Sequence, residues 1–322
     1  VPGTTVDRQC GSSQQAIHFA AQAVMSGTQD IVIAGGVECM SAVPMGTSLV
    51  GGKFGMPNSP EIQAKFGSEG VYSQFVGAEM ICSKWNITRE AMDEYAAASH
   101  AKAQAATLAG KFSEEIVVLE GVRQKTGEKC SHDKDEGIRA DTTPAALAKL
   151  DTLVKLGACP DLGDFNGGRI TAGNASQITD GAAAVMVVNE AGLKKLGVEP
   201  LVQITALALA GSDPIMMLSG PIPATQTLLK RAGIKIGDID FYEVNEAFAS
   251  IPMAWTQSLD ADPTKLNMLG GAIALGHPLG ATGAKLVTTM VHEMRRSKEK
   301  RVGLLAICEG GGTANATLLQ RC

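Results

Sequence analysis

The sequence predicts an α/β protein assembled from two similar halves. Short continuous apolar runs, such as Asp30-Ile-Val-Ile-Ala-Gly-Gly and Gly181-Ala-Ala-Ala-Val-Met-Val-Val, have the length of buried strands. Between such runs lie segments whose apolar residues recur at helical spacing. An order of strand, reactive residue, helix, strand and Gly-Gly around Cys10 to Gly36 is echoed around Leu269 to Gly312. Two halves with their helix-opening turns brought together would produce that echo, and so would a chance similarity of two βαβ units.

A strand-like stretch, Thr4 to Arg8, leads through Cys10 into an amphipathic helix at about Ser12 to Ser26. Its apolar residues Ala16, Phe19, Ala20, Ala23 and Val24 follow helical spacing. Asp30 to Gly36 reads as a strand covered on both faces. From about Met40 to Arg169 the chain is rich in Gly, Pro, Ser and charge, with one clear helix at Arg89 to Gly110. This stretch reads as an inserted loop domain, 41–169. The N-terminal half is then 1–40 and 170–195, and the C-terminal half 196–322. In the C-terminal half Leu201 to Leu209, Ile239 to Val244, Val302 to Ile307 and Ala314 to Leu319 read as strands. Ala224 to Ala232 reads as a helix ended by Gly233, and Thr282 to Arg296 as a helix with basic residues in its last turn, where the macrodipole favours them.

Composition narrows the function. The 322 residues suffice for two ordinary domains, and 45% of them are apolar. Aromatics at 4% and a net charge of −5 argue against a nucleic-acid partner or an anionic membrane surface. No apolar run reaches the ~18 residues of a membrane span. Seven cysteines without framework spacing point to a reducing, cytoplasmic compartment, and no CxxC pair suggests a metal. The chain opens on Val1 and shows no signal or transit peptide. We expect it to lack its natural N-terminal segment, which leaves a mitochondrial or peroxisomal origin open.

Three segments carry chemistry: Cys10 in Val6-Asp-Arg-Gln-Cys-Gly-Ser-Ser, His277 in Gly276-His-Pro-Leu-Gly-Ala-Thr-Gly, and Cys308 in Cys308-Glu-Gly-Gly-Gly. Each reads as the end of a buried strand followed by a tight turn, where backbone N–H groups can hold an oxyanion. A helix N-terminus is expected to favour the Cys10 thiolate and to keep His277 neutral. A phosphate-cradling loop is the rival reading at His277, but neither Walker spacing nor GxGxxG is present. A second thiol, Cys308, suits a reaction in which a carbon acid loses a proton. Asn245 can orient a water or donate to an oxyanion, whereas the Glu and Phe after it are ordinary at a strand-to-helix junction. Cys39, Cys82, Cys130, Cys159 and Cys322 read as inert. His18, His100, His132 and His292 read as surface residues.

Together, Cys10, Asn245-Glu-Ala-Phe, Gly276-His-Pro and Cys308-x-Gly resemble the four active-site segments of thiolases. Thr171-Ala-Gly-Asn-Ala-Ser and Gly220-Pro-Ile-Pro-Ala resemble thiolase segments as well. The resemblance covers essentially the whole chain. It implies two βαβαβαββ halves in a five-layered αβαβα core and a loop domain that binds coenzyme A. It implies that Cys10 becomes acylated, that His277 takes its proton, and that Cys308 is the acid/base. Asn245, through a water, and His277 would form one oxyanion hole. The N–H groups of Cys10 and Gly310 would form the other. Ser176, Ala172 and Gly173 match the pantetheine loop, Arg139 a residue near the adenine nucleotide, and Met217 and Phe248 residues lining the thioester end. Coenzyme A enters as co-substrate, with acyl-CoA as the other ligand and no permanently bound cofactor or metal.

Thiolytic cleavage of 3-ketoacyl-CoA in acyl-chain degradation follows from the resemblance, in a homodimer or homotetramer. The alternatives are an acetoacetyl-CoA-forming enzyme, and a non-catalytic CoA- or lipid-binding relative or fragment. A β-ketoacyl synthase of the same fold lacks the second catalytic cysteine, so Cys308 argues against it. The stretch Leu153 to Arg169 is longer and more irregular than the resemblance leads us to expect, and substrate length is not legible there.

Overall fold

The computed structural model describes residues 1–55, 59–66, 73–123, 126–156, 167–297, 299 and 301–322. Cys159 and most of the irregular stretch before Thr171 lie outside the described residues. The chain begins with an irregular segment and a short 3₁₀ turn at Gln9–Gly11, from which helix α1 (Ser12–Met25) departs. Strand β1 (Ile31–Glu38) follows. The inserted region holds α2 (Pro60–Phe66), α3 (Gln74–Lys84), α4 (Arg89–Leu108), the hairpin β2 (Leu119–Val122) and β3 (Lys129–His132), and the short α5 (Pro144–Leu147). The chain then returns to pair β4 (Gly181–Val188) antiparallel with β1, Ile31 opposite Val188. Helix α6 (Glu190–Leu196) leads into the second half.

That half supplies β5 (Val202–Gly211), α7 (Pro221–Ala232), β6 (Phe241–Val244), α8 (Ser250–Leu259), α9 (Ala272–Leu275), α10 (Thr282–Arg296), β7 (Val302–Glu309) and β8 (Thr313–Arg321). Its sheet runs in the order β5-β8-β7-β6, with β6 and β7 parallel and the other pairs antiparallel. Both β7 and β8 are buried along nearly their whole length, as continuous apolar runs require.

Helices α1 and α10 lie between the two sheets. Ile17, Ala20, Ala21 and Val24 of α1 share one core with Val287, Met290 and Met294 of α10. Ala34 and Val187 close that core from the β1–β4 side, and Leu305, Ile307 and Leu319 from the other. Gly283 permits the close approach of the two helices. A Cβ there would overlap the backbone N of Gln14, and Ala284 N–H instead reaches Ser13 Oγ at 3.0 Å. On the far side of the larger sheet, Leu228 of α7 and Ile251 and Trp255 of α8 pack on Leu304, Ala306 and Leu318 together with Ile81 and Met92 from α3 and α4. The fold is the mixed α/β thiolase fold that the sequence predicts.

Several local expectations differ. Thr4 to Arg8 is not a strand, because no neighbouring strand among the described residues satisfies its backbone. β1 is not covered on both faces. Its residues alternate, and Ile33 and Val37 on one face are exposed, as is Met186 of β4. The inserted region contains α3 besides the expected α4, and α3 packs along α8. His18 and His100 are buried rather than at the surface. His18 Nε2 meets Thr317 Oγ1 at 2.8 Å, and His100 Nδ1 accepts the Arg139 N–H at 3.1 Å.

Candidate active site

Cys10 sits in the 3₁₀ turn ahead of α1. Arg8 N–H donates to Ser12 Oγ at 2.9 Å and Ser12 Oγ donates to Gln9 O at 2.7 Å, which closes the turn. Gln9 takes a left-handed φ of 47° within it. Cys308 lies near the end of β7, just before the turn of Gly310, Gly311 and Gly312 into β8. The Gly310 N–H faces the Cys10 sulfur closely enough to oppose the rise of its pKa, so one of the two expected backbone oxyanion donors lies beside this thiol.

Burial sets the protonation of both thiols. It pushes Cys10 up to about 12, with Gly310 N–H opposing and Glu309 adding to the rise. This corrects the expectation that the helix N-terminus favours the thiolate. Cys308 is pushed well above its usual value by burial and by neighbouring Cys10. Both thiols therefore rest protonated, and a thiol attacking from that state needs a base at the moment of attack.

His277 is the base that the sequence leads us to expect. It follows α9 and Gly276, not a strand as expected, and burial, followed by the Lys285 charge, lowers it to about 4. Its tautomer follows from its partners. Thr282 Oγ1 donates to Pro278 O at 2.9 Å, so its oxygen accepts from His277 Nδ1–H at 2.6 Å. Nε2 is left as the basic nitrogen, and Asn245 Nδ2 donates to it at 3.3 Å. The same Asn245 side chain faces Cys308 and opposes the rise of its pKa. Asn245 Oδ1 is buried without a partner. The turn at Leu279–Ala281 packs on the Cys10 turn, so the two helix-opening turns do meet.

Some of the remaining predicted residues adjoin this centre. Ser176 N–H donates to Ala247 O at 3.0 Å and Ala175 bridges Phe248. Ser176 is half-buried beside the Asn245-Glu-Ala-Phe segment, whereas the half-buried Gly173 faces Leu147 and Leu150 and Ala172 is exposed. Phe248 and Met217 are buried in one core with Cys308, and Phe75 of α3 meets Phe248 edge-on at 5.7 Å. Arg139 is exposed, two residues beyond Gly137, whose carbonyl accepts from Gln177 Nε2 at 2.8 Å.

Three residues went unread in the sequence. Thr282 fixes the histidine. Gln177 joins the loop of Thr171 to α9 through Ile273 O at 2.8 Å. Glu246 is not an ordinary junction residue. Buried, it accepts from Tyr95, Ser99, Asn267 and the Ile273 N–H, tying α4 to the start of α9. The signal for Glu246 lay in its neighbour. A carboxylate beside Asn245 at a buried strand end needs several donors.

The thiolase N-terminal domain family matches residues 1–191 and the thiolase C-terminal domain family matches residues 198–321. The chain belongs to the thiolase family. It is an acetyl-CoA acyltransferase by that membership. The steroid 3-ketoacyl-CoA thiolase FadA6 of Mycobacterium tuberculosis is 48% identical, across 100% of this chain and 75% of its own length. A 3-ketoacyl-CoA thiolase of Idiomarina loihiensis is 43% identical, over 100% and 79%. Human mitochondrial 3-ketoacyl-CoA thiolase superposes with a TM-score of 0.84 at 35% identity, covering 100% of this thiolase and 79% of that chain.

Proposed function

We propose that this thiolase cleaves 3-ketoacyl-CoA with coenzyme A, releasing acetyl-CoA and an acyl-CoA shortened by two carbons. The single observation that carries the reading is the Asn245 side chain, which donates to His277 and faces the second thiol Cys308, beside a Cys10 that the Gly310 N–H faces. Cys10 Sγ attacks the 3-keto carbon while its proton passes to His277 Nε2. The developing alkoxide is held by the N–H groups of Cys10 and Gly310. One such donor is worth ~2.7–4 kcal/mol in the transition state. The C2–C3 bond then breaks. The enolate of acetyl-CoA, held by Asn245 and His277, takes its proton from Cys308. Coenzyme A gives its thiol proton to the Cys308 thiolate and attacks acyl-Cys10, and Cys10 recovers its proton from His277. Asn245 Oδ1, buried and unpartnered, is the acceptor for the bridging water that the family resemblance implies.

Residues 41–169 form the coenzyme A-binding loop domain in this reading, with Arg139 toward the nucleotide and Ser176, Ala172 and Gly173 along the pantetheine. The protein works in a reducing aqueous compartment as a homodimer or homotetramer. Cys10, Cys39, Cys82, Cys130, Cys308 and Cys322 are all free thiols, which supports that compartment. A second reading of the substrate, a 3-ketoacyl-CoA bearing a steroid side chain, is favoured by the 48% identical relative.

Thiolysis of acetoacetyl-CoA, a long-chain 3-ketoacyl-CoA and a steroid-side-chain 3-ketoacyl-CoA, followed by intact mass, tests the proposal. Turnover with an acyl adduct mapped to Cys10, and none in Cys10→Ala, is the expected outcome. Thiolysis by Cys10→Ala refutes the nucleophile. Cys308→Ala is expected to form acyl-Cys10 from acetyl-CoA yet fail to exchange methyl protons, and equal loss of both steps refutes its role.

A further inference from the structure

An ion pair joins the two turns that carry the thiols. Arg8 Nη2 lies 2.9 Å from Glu309 Oε2. Arg8 stands two residues before Cys10, and Glu309 directly follows Cys308. The Glu309 side chain is fully buried and that of Arg8 is 23% exposed. Glu309 Oε2 also accepts from Thr313 Oγ1 at 2.6 Å, across the Gly310–Gly312 turn. Its other oxygen, Oε1, is buried without a partner. The carboxylate lies over Gly11, where any Cβ would overlap Oε1, so the close approach requires glycine next to the nucleophile. Arg8 Nη1 bonds Gln15 Oε1 at 2.7 Å, and that oxygen also accepts from Asn315 Nδ2 at 3.1 Å. The guanidinium therefore links α1, β7 and β8 at one point.

A buried carboxylate with an orphan oxygen is costly, and an apolar residue of similar volume avoids that cost. Stability alone does not account for a charge here. We infer that the Arg8–Glu309 pair is a positioning device for catalysis. It locks the Cys10 turn onto the Cys308–Gly310 turn, keeps the Gly310 N–H on the Cys10 sulfur, and prevents a lone anion from facing the nucleophile. This inference rests on Cys10 being the nucleophile. The charged and titratable groups around Cys10 are Glu309 and Cys308 of β7, Glu38 at the end of β1, Arg8 in its own turn, and His277, which precedes the turn packed on it.

The test compares wild type with Arg8→Gln, Glu309→Gln, the double variant and Arg8→Lys. Two quantities are read: the pH dependence of iodoacetamide alkylation at Cys10 by peptide mapping, and the rate of acyl-Cys10 formation from acetyl-CoA. Arg8→Gln removes the cation nearest the two thiol turns and moves the alkylation profile up by about one pH unit, whereas Glu309→Gln moves it down. Each slows acylation roughly tenfold or more at saturating acetyl-CoA, and the double variant loses far less than the product of the two. Arg8→Lys recovers most of the rate.

Shifts in the same direction, no shifts, or a double variant that loses the full product overturn the proposal. Should a charge-removing variant not fold, Glu309→Asp keeps the charge and shortens the tie. Slowed acylation with an unshifted profile is then expected, and wild-type acylation overturns the proposal. A wild type that never forms acyl-Cys10 refutes instead the nucleophile reading beneath it.

Discussion

Thr282 decides which nitrogen of His277 holds the proton, and its hydroxyl hydrogen is committed to Pro278 O, so the choice is not shared. Burial pushes Cys10 up to about 12 and brings His277 down to about 4, so neither charges spontaneously near neutral pH. A neutral pair of this kind works only if Nε2 presents its lone pair when the thioester arrives. Thr282→Val keeps the shape and removes the acceptor for Nδ1–H. An unpaired buried donor costs ~1–3 kcal/mol, enough to favour the wrong tautomer and lower kcat about 10- to 100-fold. KM for CoA should hold, because no predicted CoA residue touches Thr282. Steady-state thiolysis checks this, and a kcat within about twofold of wild type would mean that another group fixes the ring. Cys10, His277 and Cys308 were legible in the sequence because glycine-rich turns isolate them from any regular pattern, and Asn245 was legible only through the family resemblance. Thr282 was not, since a threonine opening a helix is commonplace and its use depends on a ring folded back from five residues earlier.

At the scale of elements, the sequence was most legible where one apolar stripe meets one partner. Thr282–Arg296 is helical from end to end as expected, and Gly181–Val188 is a strand over the expected residues. Legibility failed where tertiary contacts rather than periodicity decide. Helix α3 has no strong apolar stripe. It is held because Gly77 lets it pass close to the Met216 carbonyl and Ile81 fills the core beside α8. The expected surface positions of His18 and His100 failed for the same reason. Buried polar partners on β8 and in the inserted region absorb them, and no spacing rule announces such partners. The crossing of α1 and α10 joins fold and site. Gly283→Ala puts a methyl group into the Gln14 backbone, and overpacking of this kind costs ~1–3 kcal/mol. It also pushes the Cys10 turn away from the Leu279–Ala281 turn. Urea unfolding should show the loss of stability, and acylation of Cys10 should fall further than that loss explains by population of unfolded protein. Unchanged acylation in the folded fraction would uncouple the helix crossing from the site.

Over the whole molecule, the buried titratable groups bracket the pH range in which this thiolase is stable. His18 and His277 are both brought down to about 4, chiefly by burial. Unfolded, each binds a proton below its ordinary 6.5 that the native state refuses. Their contribution is therefore present above 6.5 and lost as pH falls toward 4. The alkaline side is set by carboxylates between β6 and α10. Glu243 on β6 is raised to about 8 by burial first and then by Glu246, and Glu115 to about 7 by burial, against an ordinary 4.5. For an acid raised in the native state the sign is opposite to that of the histidines. Its contribution is complete below 4.5 and is lost as pH rises through about 8 for Glu243, because the native state must then hold a buried anion that the unfolded chain solvates freely. Lys285 and Lys102 offset part of that anion, so on the order of a few kcal/mol remains at stake. Glu243→Gln imitates the protonated form at every pH. Urea unfolding should find the variant and wild type nearly equal at pH ~5, with the variant gaining steadily until about pH 9. Parallel stability curves across that range would show that Glu243 keeps an ordinary proton affinity in the native state. A variant less stable at every pH would show that its charge supports β6 against Lys285. The gap between the curves, read pH by pH, measures how much of the alkaline limit comes from this one carboxylate beside the Asn245 strand end.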